Sequence, residues 1–326
     1  MSSVTFTTVT NGDVAVEVAT KGTGPLMLFV HGWPELWYSW RHQIEHFAAR
    51  GFTAAALNVR GYGNSSNPTA IERYTLRELA SDNAAVIDAL SDDGTAIVIG
   101  HDWGAPIAWN TARLHPDKVS AVTGLSVPYT PVGPDNTLAM WRELYTNQKK
   151  FFYQVYFDDN RGGAEAELGA DSARSLRMIY YMASGQRPDG LRGLVTDKPA
   201  DAKMLDGLID PDPFPDWCTP EDFEIYAAAF DISGWHGVLN RYRAQPFDAA
   251  DLGQIPGGEL GQPAAFIGGS LDPVRDFMPG MDVFDLAPAS CTDYRGTTII
   301  DGAGHWVQQE APAETNAALD AFVNEL

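Results

Sequence analysis

The stretch Ile97-Val98-Ile99-Gly100-His101-Asp102-Trp103-Gly104-Ala105-Pro106 constrains this chain more than any other. Its run of β-branched residues reads as a buried parallel strand, and residues 106–114 read as a helix. Between them lies small-x-nucleophile-x-small, the pattern of a nucleophile elbow, in which a sharp turn lifts the central side chain above the sheet. Glycines at 100 and 104 fit a turn that brings strand and helix too close for a Cβ. A capping Asp at an ordinary helix start is the bland alternative. It leaves the strand, both glycines and the helix in register without a reason.

The central residue is Asp102, not serine, and that narrows the chemistry. A serine attacking saturated carbon would form an ether that water does not readily cleave. A carboxylate attacking the same carbon forms an ester, which activated water can hydrolyse. An Asp in this position therefore points to substrates opened at sp³ carbon, such as epoxides or alkyl halides.

The 326 residues suffice for one large domain or about two ordinary ones, with a substantial core. A formal net charge of −21 argues against nucleic acid or an anionic membrane as partner. Cys218 and Cys291 lack metal-ligand spacing and are expected as free thiols of a reducing compartment. Residues 1–12 carry neither the basic region nor the apolar core of a signal peptide, and no apolar run is long enough to cross a bilayer. A cytoplasmic protein is expected, and the residues do not distinguish a monomer from a homodimer.

Residues 4–10 and 14–19 alternate around Asn11-Gly12 as a hairpin. Residues 26–30 and 52–57 read as buried strands, the first running into His31-Gly32-Trp33-Pro34 and the second followed by the turn Arg60-Gly61-Tyr62-Gly63. Thr75 and Glu78 form a capping box ahead of a helix with apolar positions 76, 79, 86, 87 and 90. Residues 119–127 give another strand. This rhythm is that of a mostly parallel α/β sheet with helices on both faces. From about residue 131 to 248 the rhythm stops, and an aromatic, helix-forming segment broken by Gly162-Gly163, Gly185, Gly190 and Pro211–Pro215 reads as an inserted helical cap with loops. Loops at 158–170 and 185–216 are expected to shape access. Strands at 263–268 and 297–300 and a helix from Pro312 close the chain.

The elbow carboxylate needs a base to activate water. His305, in the Gly302-Ala-Gly-His-Trp306 loop after the last strand, stands where such a fold presents its histidine. Asp272, after the preceding strand, is placed to orient that imidazole, and the order nucleophile, acid, histidine completes a triad. Asp276 and Asp301 compete for the acid, but neither lies just beyond the strand at 263–268. His42-Gln-Ile-Glu45-His46 fits one zinc-protease spacing, yet it lies on an ordinary helix and reads as its solvated face. His115 reads as a helix-end residue, and His31 and His101 as loop braces.

His31-Gly-Trp-Pro-Glu-Leu-Trp-Tyr-Ser-Trp-Arg41, Arg60-Gly-Tyr-Gly-Asn-Ser65 and Gly100-His-Asp-Trp-Gly-Ala105 together resemble the soluble-type epoxide hydrolases of the α/β-hydrolase fold. Phe151-Phe-Tyr153-Gln-Val-Tyr-Phe157 and Gly234-Trp-His-Gly-Val-Leu-Asn-Arg-Tyr242-Arg243 sharpen the likeness, which runs from residue 26 to 308. The resemblance implies a core of residues 1–130 and 249–326 and a cap of 131–248 over the active site. It implies that Tyr153 and Tyr242 hydrogen-bond the epoxide oxygen, and that the backbone N–H groups of Trp33 and Trp103 hold the oxyanion. Trp33, Pro34, Trp103, Phe151, Gln154 and Trp306 are the expected substrate contacts. No metal and no organic cofactor are implied, the partner being a small apolar epoxide that leaves as a vicinal diol. No segment matches the phosphatase domain that precedes some animal members, so that activity is not expected. Asn58 stands where an Asp is usual, which bears on a supporting hydrogen bond. The tyrosines make physical sense, because neutral phenols with pKa about 10 can share the charge that ring opening places on oxygen. Tyr156, Tyr180 and Tyr181 read as packing residues.

Two other readings remain. A haloalkane dehalogenase would use the same Asp, with Trp103 and Trp141 cradling the halide, but that family usually carries Asn or Glu at the place of Trp33 and lacks the tyrosine pair. Arg in place of Trp103 would mark a fluoroacetate-type dehalogenase. A non-catalytic ligand receptor of the same fold often loses a triad member, whereas all three are present here.

Overall fold

The computed structural model describes residues 4–188 and 198–326. Its strands are β1 (Thr5–Asn11), β2 (Val14–Lys21), β3 (Leu26–Val30), β4 (Thr53–Leu57), β5 (Ala96–His101), β6 (Val119–Leu125), β7 (Leu260–Gly269) and β8 (Cys291–Ile300). They form one sheet in the order β1-β2-β4-β3-β5-β6-β7-β8. The β1–β2 hairpin and the β2–β4 pair are antiparallel, and every other pairing is parallel.

Period-two alternation sorts the central strands onto two faces. Leu28, Val30 and Val98 pack on one side with Val86, Ile87 and Trp109. Met27, Phe29, Ile97 and Ile99 pack on the other with Trp40, Phe47 and Phe322. Burying a side chain of this size stabilises by about 1.5–3 kcal/mol. These two layers hold the sheet without a bridge, and Cys218 and Cys291 are both free. Helices α1 (Arg41–Ala49), α2 (Leu76–Leu90) and α3 (Gly104–Leu114) cover the first half of the sheet. The chain leaves β3 toward one edge and returns to β5 on its other side, so the order reverses between β3 and β5. A crevice opens at the C-terminal ends of strands at such a switch point.

Between β6 and β7 the chain is helical: α4 (Thr137–Leu144), α5 (Tyr153–Asp159), α6 (Gly163–Gly169), α7 (Ser172–Ala183), α8 (Pro220–Ser233), α9 (His236–Arg243) and α10 (Gln245–Asp251). The short α11 (Val307–Glu310) and α12 (Pro312–Val323) end the fold. Buried polar contacts tie the insertion to the sheet side. The buried Arg241 guanidinium lies 4.7 Å from the centre of the Trp103 ring and binds Tyr74 O and the Asp248 carboxylate. Asp248 Oδ1 in turn accepts the first N–H of α2, from Leu76, at 2.7 Å.

The structure departs from the sequence reading in four places. Thr75 Oγ1 accepts the Glu78 N–H at 3.4 Å, but the Glu78 carboxylate binds Arg60 Nη1 at 2.8 Å instead of closing a capping box. Residues 163–169 are helix α6, not loop, because the Glu165 carboxylate accepts the Gly162 N–H at 2.7 Å and the Arg243 guanidinium at 2.6 Å. Strand β8 begins at Cys291, well before residue 297. The expected boundary at 248 falls inside α10. Gly190 and part of the loop expected at 185–216 lie outside the described residues.

Candidate active site

Asp102 follows β5 directly with a left-handed φ of 50°, the strained conformation of the elbow. A Cβ at Gly100 would overlap the Gly104 carbonyl, and one at Gly104 would overlap the Val30 carbonyl. Strand, turn and helix pass too close for any side chain. Because β3 and β5 are neighbours in parallel register, the loop after β3 lies beside this turn. The Trp33 N–H donates to Asp102 Oδ1 at 2.7 Å. Trp103 follows at the start of α3, its ring edge-on to Tyr242 with centroids 5.4 Å apart.

The loop after β8 brings His305 Nε2 to 3.4 Å from Asp102 Oδ2. Its Nδ1 lies 3.1 Å from each Asp272 oxygen, and the fully buried Asp272 also accepts the Val274 N–H at 2.9 Å. Burial pushes the His305 ring down, but the Asp272 carboxylate and the hydrogen bond to Asp102 outweigh it and hold the ring well above its ordinary range. Burial likewise pushes the Asp102 carboxyl up, and His305 overcomes this and holds it below the ordinary carboxylate value. The imidazole thus lies between two carboxyl groups, and the charged forms of His305 and Asp102 favour each other.

The first histidines of both loops are held by hydrogen bonds. Val59 N–H donates to His31 Nε2 at 2.9 Å while Nδ1 faces Gly32 O at 2.8 Å, which requires the proton on Nδ1. Burial pushes this ring down to about 4. His101 lies between Glu35 Oε2 at 2.6 Å and the His305 carbonyl at 2.7 Å. Glu35 is fully buried and also accepts Gly32 N–H at 2.9 Å and Gln308 Nε2 at 2.8 Å. It joins the nucleophile strand to both flanking loops. Sequence reading passed over it, the only signal being an acid three residues after Gly32. Asn58, at the place of the usual Asp, donates to Glu17 Oε2 at 2.7 Å and accepts the Trp37 N–H at 3.0 Å.

Tyr153 opens α5 and Tyr242 lies on α9, their rings edge-to-face with centroids 5.6 Å apart. Burial first, then the Asp102 charge, raises the Tyr153 phenol. Burial with Tyr153 and Asp102 raises Tyr242, so both are neutral donors. The Tyr153 hydroxyl accepts from Gln154 Nε2 at 3.2 Å. The Tyr242 hydroxyl is buried, with Tyr153 and the Trp103 indole as polar neighbours, yet among the described residues no group meets hydrogen-bond geometry with it.

A cavity of about 70 Å³ is bounded by Asp102, His305, Tyr153, Tyr242, Trp33 and Trp306. A larger one of about 370 Å³ also touches Asp102 and Tyr153, and extends past Trp103, Gln154, Trp141 and Met140. Of the expected substrate contacts, Trp33 and Trp306 line the smaller cavity and Trp103 and Gln154 the larger. Pro34 and Phe151 line neither. Pro34 O accepts the Tyr180 hydroxyl at 3.2 Å, and Phe151 is turned into packing against Tyr156 and beneath Lys198 Nζ, 4.8 Å from its centroid. Met140, Phe277, Met278 and Gln245 line the larger cavity without any local motif that marks them in the sequence.

The helix-face histidines are dispersed: His46 binds Asp320 at 2.9 Å and Glu45 binds Lys21 at 2.5 Å. Among the described residues no cluster of His, Cys, Asp and Glu could hold a metal, and no helix is long and apolar enough to cross a membrane.

The family described as the alpha/beta hydrolase fold matches residues 25–312. Epoxide hydrolase A of Mycobacterium tuberculosis is 38% identical over 97% of this chain and 96% of its own length. An epoxide hydrolase of Caballeronia sordidicola is 35% identical over 96% of this chain and 92% of its own. Among solved structures, an epoxide hydrolase from an endophytic Streptomyces superposes with a TM-score of 0.92 at 38% identity, covering 99% of this chain and 96% of that one. Epoxide Hydrolase A from Mycobacterium thermoresistibile gives 0.88 at 37% identity, covering 99% and 98%. The chain belongs to the epoxide hydrolases of the α/β-hydrolase fold.

Proposed function

We propose that this protein adds water to an apolar epoxide in two steps, beneath a cap formed by the helices inserted between β6 and β7. Ionised Asp102 attacks a ring carbon, the C–O bond breaks, and Tyr153 and Tyr242 hydrogen-bond the departing oxygen. The oxygen takes a proton from a phenol, which regains it from the His305 imidazolium. Alkylation has removed the Asp102 charge, so the ring then stays neutral. His305, held by Asp272, next takes a proton from water as that water attacks the Asp102 ester carbonyl. The N–H groups of Trp33 and Trp103 hold the oxyanion. A vicinal diol leaves, and the carboxylate and imidazolium are restored with no net proton exchange. The scheme uses no metal and no organic cofactor.

The observation that carries this reading is a single small cavity bounded by carboxylate, imidazole and both phenols. The cavity sizes also favour a lopsided substrate. About 70 Å³ admits roughly two water-sized groups, while about 370 Å³ accepts a ring or a long chain. The charged residues lining the larger cavity are the acids Asp102 and Asp248, which favours a neutral substituent over a carboxylate.

His305→Gln removes the base of the second step and is expected to accumulate the ester during reaction with styrene oxide. Intact-protein mass spectrometry finding no adduct on that variant would refute the scheme. One observation favours a second reading: Trp141, which lines the larger cavity, has a buried Nε1 with no hydrogen-bond partner among the described residues, as a halide donor would. Halide release from a haloalkane, without diol from any epoxide, would establish it.

A further inference from the structure

We infer that Gln154 and Gln245 form an amide relay that decides where the Tyr153 hydroxyl sends its proton, an inference that rests on the epoxide-opening reading above. Gln245 opens α10, and its Nε2 donates to the Tyr242 backbone carbonyl at 3.0 Å. A carbonyl oxygen only accepts, so the Gln245 amide has one workable orientation there. The same nitrogen donates to Gln154 Oε1 at 3.0 Å. That bond in turn sets Gln154, whose Nε2 is left to donate to the Tyr153 hydroxyl at 3.2 Å.

Tyr153 therefore accepts on the relay side, and its own proton is free for the cavity, where the epoxide oxygen is placed. Were Gln154 reversed, two NH₂ groups would face each other, and Gln154 Oε1 would draw the Tyr153 proton away from substrate. Both amides are at least nine-tenths buried, at 8% and 6% exposure, so an unmatched bond there is costly. A hydrogen bond accepted by the phenol oxygen also strengthens as negative charge grows there during ring opening. Because the relay starts at the Tyr242 carbonyl, it ties the start of α5 to the α9–α10 junction and holds the two phenols in mutual register. Gln245 touches no reacting atom and is a positioning residue.

The test is stopped-flow single turnover with styrene oxide, which separates ester formation from ester hydrolysis. Gln245→Glu keeps the side-chain shape but offers only acceptors when ionised, so it receives the Gln154 NH₂ and reverses that amide. Ester formation is expected to slow about 10²-fold, as in Tyr153→Phe, while ester hydrolysis stays within about twofold. Gln245→Met merely frees Gln154 and is expected to slow ester formation by about tenfold or less. In a Tyr153→Phe background neither change should slow ester formation further, which a general structural defect would do. Ester formation within about twofold of the parent in Gln245→Glu overturns the relay, as does an equal slowing with and without the Tyr153 hydroxyl. Should Gln245→Glu not fold, the same cycle with Gln245→Met decides. A parent protein that forms no ester with any epoxide overturns the proposed function itself, whereas the relay fails alone if the parent reacts normally.

Discussion

Replacing Tyr242 by Phe deletes one buried oxygen that no group among the described residues meets in hydrogen-bond geometry, Tyr153 and the Trp103 indole being its polar neighbours. A buried hydroxyl left unmatched costs about 1–3 kcal/mol relative to the hydrated group. Part of the recovered energy is lost with the contacts of the missing atom, so Tyr242→Phe is expected to gain about 1 kcal/mol, or about 2 °C in Tm for a chain of this size. Tyr153→Phe deletes a hydroxyl that accepts from Gln154 at 3.2 Å and is expected to lose about 1 kcal/mol. In the proposed cycle both variants lack a donor to the departing oxygen and are expected to slow ester formation by about 10²-fold, close to 2.7 kcal/mol of transition-state stabilisation. The two changes thus agree in sign on rate and differ in sign on stability. Urea denaturation midpoints together with single-turnover rates read both quantities. A Tyr242→Phe protein destabilised as much as Tyr153→Phe would show that the hydroxyl is matched in the folded chain, and the argument would fall.

The His305 ring titrates higher folded than its ordinary value of 6.5, so its contribution to stability is complete below about pH 6.5 and is lost as pH rises through the folded value. Asp272→Asn removes a carboxylate that raises the ring and is expected to flatten this alkaline decline while slowing ester hydrolysis by about 10²–10⁴-fold; superimposable stability curves for variant and parent from pH 6 to 10 would contradict it. Gly100→Ala forces a Cβ against the Gly104 carbonyl and is expected to cost about 3 kcal/mol or more, whereas Gly261→Ala, where a Cβ meets nothing within 4 Å, stays within about 1 kcal/mol. Equal melting temperatures for the two alanine variants would mean the elbow relaxes freely.

Local rules made most of the sheet legible. Strand β3 and the elbow strand β5 are buried on both faces, so their apolar runs are continuous and their ends are marked by glycine. Strand β8 is largely exposed, and Gly296, with φ of 132°, breaks its pattern midway, so its first half carries no readable signal. Glu78 shows how a tertiary partner overrides a local motif, the buried Arg60 guanidinium taking the carboxylate that a capping box would use. Pro34 and Phe151 lie among motif residues, but one turn of backbone separates a wall residue from a packing residue, and sequence spacing does not record which. The supporting groups were least visible. Glu35 reaches His101 across 66 residues, and Gln245 reaches Gln154 across 91. Pairings of that span follow from packing, not from any local period.

The charge pattern of the site explains why two acids flank one histidine. Burying ions is costly unless each is matched, and a cycle that changed the net buried charge would incur that cost at one of its stages. In the resting state of the proposed cycle Asp102 and Asp272 are ionised and His305, in reach of both, is protonated, leaving one net negative charge. Once Asp102 is esterified and His305 has returned its proton, only Asp272 is charged, again one net negative. The surroundings therefore face the same net charge before and after ring opening, and the Trp33 N–H and buried loops need not reorganise to accept the intermediate. Removing Asp272 takes the same unit of charge from both states but leaves the His305 ring without the carboxylate that raises it, which is why its loss should be felt in the base step and in the pH dependence of folding together.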